Sequence, residues 1–198
     1  RYTTILMVAG TYSGISSGAV EKLKRWVSAG GTLVVYGSAI NWAAQQGLSA
    51  AKTKDDDEAK PDTRMRRYID ASDESGAQQI GGSIFRATID PTHPLFYGYR
   101  ASSIPTFRDH TIMLSLPDNA YSTPMRYTAD PLISGYISKP QLERIRSSAA
   151  VVVSASGSGR VIAATDNPVF RAFWFGTDKL LANAIFFGHT ISAQTAAR

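Results

Sequence analysis

The sequence predicts an α/β fold with a mostly parallel sheet and antiparallel additions, and a strand-helix-strand run and a later pair of strands carry that prediction. Thr3 to Ala9 and Leu33 to Tyr36 are short apolar, β-branched runs, the pattern of strands buried on both faces. Between them, Ser16 or Ser17 can cap a helix whose Val20, Leu23 and Val27 recur at helical spacing. Its Glu21, Lys22, Lys24 and Arg25 face outward, and Gly30-Gly31 ends it. Strand, helix, strand at that length is a βαβ unit, so the two strands should be parallel neighbours. Further on, Ala149 to Ser154 and Arg160 to Ala164 are β-rich runs on either side of a Gly157-Ser158-Gly159 turn, the signature of a hairpin.

The remaining elements follow in order. The second strand stops at Gly37-Ser38, and Ala39 to Gln46 reads as a helix. Ser38 therefore sits at the apex of a strand, turn, helix motif, where open α/β sheets place ligands and nucleophiles. Ser49 to Asp62 is charged, small-residued and poor in large apolar groups, which predicts a mobile loop near 49–62. Its Asp55-Asp56-Asp57-Glu58 run reads as solvated, because a calcium loop interleaves its ligands with a turn glycine. Arg64 to Asp70 suits a short helix, and Ser83 to Ile89 alternates like a strand in an antiparallel part of the sheet. Asp90 to Tyr99, with two prolines and a glycine among aromatics, must be an ordered turn. Thr111 to Leu116 and Met125 to Tyr127 are strand candidates; Ser138-Lys139-Pro140 opens a helix that continues through Leu142 and Ile145. The chain ends with Asp166-Asn167-Pro168, an aromatic cluster (Phe170, Phe173, Trp174, Phe175) and a helix capped by Thr177, with Leu180, Leu181, Ala184 and Ile185 as its stripe.

Composition narrows the function classes. At 198 residues with 43% hydrophobic content, the chain suits a single domain spanning 1–198. The net charge of +5 comes from scattered basic residues with no long block, which argues against nucleic acid as a partner. No run of roughly 18 apolar residues exists to span a membrane. The absence of cysteine removes disulfides, thiolate metal sites and a cysteine nucleophile. Because Arg1 leads straight into strand sequence, a processed product or a fragment is expected.

A catalytic triad needs a nucleophile, a histidine within hydrogen-bond reach and an acid behind it. Ser38 has the setting for a serine hydrolase, and His93, His110 and His189 are the histidines available to it. None of the three is followed by a carboxylate, so Ser38 reads more simply as a helix cap. No His-x-x-Glu or His-Glu-x-x-His exists for zinc. Asp166 and Asn167, with Arg171 behind them, form a candidate ligand-binding set in which the guanidinium could hold a carboxylate, although an ion pair or turn cap is the simpler explanation. His93 joins that weak set from its turn. Trp42, Tyr97 and Tyr99 offer a third option, a carbohydrate or peptide surface.

Three stretches also carry a family resemblance: Ala19 to Gly37, the THPLFYGY turn and the closing DNPVFRAFWFGTDKLLANAIFFG. Together they resemble the C-terminal domain of bacterial zinc carboxypeptidases of the carboxypeptidase A type. That domain is similar to class I glutamine amidotransferases, a flavodoxin-like three-layer sandwich. The resemblance spans nearly the whole chain and implies a non-catalytic accessory domain that orients the peptidase or helps bind peptide substrate. It further implies an upstream carboxypeptidase domain on the same polypeptide as partner. Zinc would sit in that domain with no cofactor in this chain, and the protein would be secreted or periplasmic. Amidotransferases place cysteine at the elbow, where this chain has Ser38, and a late His-Pro-Glu where it has Asp166-Asn167-Pro168. His93-Pro94-Leu95 comes too early and lacks the acid, so glutamine hydrolysis should be absent. Such domains also begin with strands before the one at Thr3 to Ala9, so part of the domain is expected upstream.

Overall fold

The computed structural model describes residues 2–54 and 65–197. Most of the predicted 49–62 loop, with its acidic run, and Arg64 lie outside the described residues. Seven strands form one sheet: β1 (Thr4–Met7), β2 (Thr32–Tyr36), β3 (Ser83–Ile89), β4 (Ser103–Arg108), β5 (Met125–Ser134), β6 (Ala149–Ser156) and β7 (Gly159–Ala164). Their spatial order is β1-β2-β7-β6-β5-β3-β4. The expected βαβ unit forms β1 and β2 as parallel neighbours, Thr4 opposite Thr32, and β7 joins β2 in parallel with Val34 opposite Ile162. The hairpin also forms, with Ser156 opposite Gly159, and from β6 outward all pairs are antiparallel.

Both faces of the parallel part are covered, as βαβ connections require. On one face α1 (Ser17–Ser28) and α2 (Ala39–Gln45) bury Val27, Ala39, Ile40 and Ala43 against Leu33, Val35, Val161 and Ala163. On the other, α5 (Asp178–Phe187) lays Leu180 and Ala184 over Val34, Ile162 and Ala164. The alternation within β2 thus serves two cores at once, and all five of its residues are buried. This is the flavodoxin-like, class I glutamine amidotransferase-like α/β sandwich.

The local signals hold where they rest on backbone chemistry. Ser16 caps α1 by accepting the amide of Ala19 at 3.3 Å. Thr177 does occupy the cap position of α5, but its hydroxyl donates to the Pro168 carbonyl at 2.7 Å and so ties the helix to the preceding loop. In the α5 stripe, Ile185 is 41% exposed, while the buried polar position is Asn183, which donates to the carbonyls of Leu95 and Tyr97. Those two bonds order the Asp90 to Tyr99 turn.

Three expectations change. Thr111 to Leu116 is not a strand: only Leu114 pairs, bridging Thr53 on one side and Ala149 on the other. The described start of the 49–62 segment is therefore held down, with Ala51 buried and the Ala50 amide bonded to Ser154 Oγ at 3.0 Å. A strand absent from the sequence reading forms at Ser103–Arg108; β4 is an edge strand, the position that tolerates its Pro105. Over 64–70 the described helix is a single 3₁₀ turn, Tyr68–Asp70, that runs on into α3 (Ala71–Ala77).

The sheet curls. In strand order β4 lies four places from β7, yet Thr106 and Arg108 of β4 bond Asp166, two residues past the end of β7. This closure brings the far edge over the carboxyl ends of the parallel strands.

Candidate functional site

The carboxyl edge of β1, β2 and β7 collects Gly10, Ser38 and Asp166. Gly37 makes the turn after β2 with φ of +54°, and a Cβ there would lie 3.0 Å from Ala9 Cβ, so the tight, left-handed position belongs to glycine. Ser38 itself is relaxed, with φ −62° and ψ −19°. A nucleophile elbow puts the strain on the nucleophile and projects its side chain. Here the strain sits one residue earlier.

The Ser38 hydroxyl is spoken for. Its Oγ accepts the Gly10 amide at 3.0 Å and donates to the Gly10 carbonyl at 3.2 Å, stapling the turn after β1 to the turn after β2. It makes no capping bond to α2, so the predicted cap role is replaced by this loop-to-loop bridge. Among the described residues no histidine bonds it. His93 follows β3, three strands beyond β7, and its Nδ1 accepts the Leu95 amide at 3.2 Å. Burial pushes His93 down to about 4 against a smaller upward pull from Asp90, so the ring is neutral and its buried Nε2 has no partner. His189 adjoins Gly188, which packs on Thr32 at the opposite end of β2.

His110 comes nearest to an acid, but the wrong way round for catalysis. Its Nδ1 accepts the Ile112 amide at 3.2 Å, which places the proton on Nε2, and Nε2 faces Asp166 Oδ1 at 3.4 Å without hydrogen-bond alignment. Neither nitrogen is left to take a proton from a hydroxyl.

Asp166 is the hub of a buried polar network that the sequence reading missed. The fully buried Arg108 brings Nε to 3.0 Å from Asp166 Oδ1, an ion pair whose N–H is not aimed along the contact. Arg108 also donates to Tyr127 Oη at 2.8 Å and to the Ile112 carbonyl at 2.6 Å. On the other carboxylate oxygen, Oδ2, Asp166 accepts Tyr127 Oη at 2.5 Å and Thr106 Oγ1 at 2.7 Å. Burial on its own would raise the carboxyl pKa; the Arg108 guanidinium, His110 and the Tyr127 hydroxyl outweigh it and hold Asp166 well below the usual carboxylate range. Burial drives the Tyr127 phenol upward, so it stays a neutral donor. The alternation Ile104, Thr106, Arg108 along β4 was the available clue, since it puts the arginine on the inward face.

The proposed ligand set is dispersed by these contacts. Asp166 is 7% exposed and saturated, Asn167 turns its Oδ1 onto the Val169 amide at 3.1 Å, and Arg171 stacks over the Phe170 ring at 5.2 Å. Trp42 stands 5.5 Å from Tyr12, Tyr97 meets Phe187 at 5.7 Å, and Lys179 sits over the Tyr99 ring at 5.4 Å. A separate cleft of about 520 Å³ is lined by Lys52, Leu116, Asp118, Asn119, Gln194 and Ala197 among others. Among the described residues no group of three or more acidic or histidine side chains could hold a metal ion, and no helix is long and apolar enough to cross a membrane.

No family model matches the sequence, and no curated protein does. Among solved structures, a ThuA-like protein from Parabacteroides merdae is similar, with a TM-score of 0.57 at 16% identity over 96% of this chain and 71% of that one. A ThuA-like protein from Bacteroides uniformis aligns at a TM-score of 0.47 with 11% identity over 93% of this chain and 68% of that one. A β-galactosidase from Bacillus circulans sp. alkalophilus aligns at 0.47 with 12% identity, over 97% of this chain and 23% of that one. The first likeness establishes the fold and nothing finer.

The first likeness overturns the carboxypeptidase-domain resemblance: the structure it reaches is a ThuA-like protein, and no family model or curated protein supports a peptidase appendage. The stretches that carried it are ones the fold itself demands. Gly31 lies flat on Trp26, where a Cβ would come within 2.6 Å of the indole; the THPLFYGY turn is fixed by Asn183; and DNPVFRAFWFG is anchored through Asp166 and Thr177.

Proposed function

We propose that the chain is a non-catalytic domain on the amidotransferase-like fold, which acts by holding shape and making contacts instead of turning over a substrate. One observation carries the reading: the only side chain at the elbow that could serve as a nucleophile, Ser38, spends both its donor and its acceptor on the Gly10 backbone. The other components of acyl-transfer chemistry are engaged elsewhere, His110 with Ile112 and Asp166, His93 with Leu95. On this reading Ser38→Ala costs about 1 kcal/mol in urea denaturation, the worth of the lost bridge, and changes no activity.

A serine hydrolase remains the second reading, because Ser38 is solvent-exposed at the carboxyl end of a parallel strand. Incubating the folded chain with a fluorophosphonate probe separates the two. The non-catalytic reading expects no adduct. Labelling that disappears in Ser38→Ala would establish the hydrolase instead.

A further inference from the structure

The segment from Met65 to Ala77 is an arm that buries nothing. Tyr68 is 95% and Ile69 77% exposed, Met65 is fully open, and no residue between Met65 and Ala77 is buried. Its 3₁₀ turn and the seven residues of α3 cover no core, and a helix that short does not hold together on its own sequence. The ion pairs fold the arm onto itself: Arg67 donates twice to Asp70 at 2.8 Å, and Arg66 pairs with Glu74. Exposed pairs of this kind contribute little. With so little to lose, the arm opens far more readily than the core.

Both stumps of the arm are fixed to the body. Before it, the Lys54 amide donates to the Met113 carbonyl at 2.7 Å and Lys54 Nζ to the Arg144 carbonyl at 3.0 Å. After it, the Gln141 amide donates to the Gln78 carbonyl at 3.4 Å and Ile80 enters the core. Gln141 and Arg144 belong to α4 (Lys139–Ile145), which packs on β5, four places from β1 in strand order, so the arm stands well away from the β1 edge. Other exposed aromatic side chains sit on anchored backbone. Tyr121 lies between the buried Ser122 and Asn119, whose Nδ2 donates to the Ala196 carbonyl at 3.2 Å. The Tyr136 carbonyl accepts Ser83 Oγ at 2.7 Å, and Phe175 belongs to the loop that Thr177 closes onto Pro168. Susceptibility to a protease follows the burial and bonding of the backbone, and by that measure Tyr68 stands apart from these three.

We propose that the Tyr68–Ile69 bond is a site of limited proteolysis, cut by an endopeptidase that takes an aromatic side chain in its primary pocket, and that the cut leaves the fold assembled. Hydrolysis adds one water: the Tyr68 carbonyl carbon gains the oxygen and ends as a carboxylate, and the Ile69 nitrogen leaves as an ammonium. Arg67 is already extended, with ψ of 134°, and unwinding Tyr68 to Ala77 to fit a protease cleft exposes no core residue. After the cut, fragment 1–68 keeps β1 and β2, and fragment 69–198 keeps the other five strands. The two stay together through the sheet, because Thr32 to Tyr36 pair with Arg160 to Ala164 and all five residues of β2 are buried. The inference is independent of whether Ser38 reacts.

Brief digestion of the native chain with chymotrypsin, read by mass spectrometry, should show a first internal cut after Tyr68. The two fragments should co-elute in gel filtration with the circular dichroism of the intact chain, and separate only in urea. Residues 55–64 contain no aromatic side chain, so a cut in the preceding stretch does not imitate this one. Tyr68→Ser takes the aromatic from an exposed position and should slow the first cut ~10-fold or more while leaving the urea midpoint of the uncut chain where it was. A first cut at Tyr121, Tyr136 or Phe175, or a chain that resists until it unfolds, overturns the proposal. Fragments that part in buffer, or a cutting rate untouched by Tyr68→Ser, overturn it equally.

Discussion

Arg108→Met is expected to lower the unfolding free energy by about 3–5 kcal/mol, the cost of leaving one member of a buried ion pair alone. The methionine matches the aliphatic stem of arginine but offers nothing to Asp166, which is 7% exposed and keeps only neutral donors. The carboxylate must then stay charged in an apolar pocket or take up a proton, and both choices favour the unfolded chain. Pairing the change with Asp166→Leu should return most of the loss, because a buried pair replaced by apolar groups of similar volume is often neutral. Urea denaturation of both single variants and the double variant forms the cycle. If the double variant is as unstable as Arg108→Met alone, the pair is not the source of the effect.

His93 makes stability depend on pH between about 6.5 and about 4. Unfolded, the imidazole takes up its proton near 6.5; folded, burial holds it neutral down to about 4. In that window the unfolded state binds more protons, so stability falls as the solution is acidified and is complete above 6.5. The loss approaches about 3 kcal/mol at the acid end. Asp166 works in a lower range, since its depressed pKa contributes stability that is lost only as the pH drops below the ordinary carboxylate value. The His93→Asn variant retains a side-chain oxygen for the Leu95 amide and should flatten the profile between pH 7 and 4. A profile as steep as that of the native chain would assign the slope to other groups.

Elements whose logic is local were legible in the sequence: the βαβ unit from Thr3 to Tyr36, the hairpin around Gly157-Ser158, and the Ser16 cap. What escaped was set by distant partners. β4 carries Pro105, which only an edge strand accepts, and edge position is a property of the whole sheet. Asp166 and Ser38 were both noticed, but their roles depend on Thr106, Tyr127 and Gly10, between 28 and 60 residues away along the chain. Spacing within a motif says nothing about a hydroxyl turned onto a backbone in another loop. The same limit explains the mistaken family resemblance, since motifs that a fold needs recur wherever the fold does.

The curl of the sheet bears on how quickly the chain comes apart. Asp166 finds Thr106 and Tyr127 60 and 39 residues away in sequence, on strands that must first pair with β3 before they can present those hydroxyls. A clasp that closes after the surrounding strands are in place is largely absent from the folding barrier and fully present in the native state. Arg108→Met should therefore leave the refolding limb of a chevron nearly where it was and move the unfolding limb upward, so that this clasp sets the lifetime of the native fold more than the speed at which it is reached.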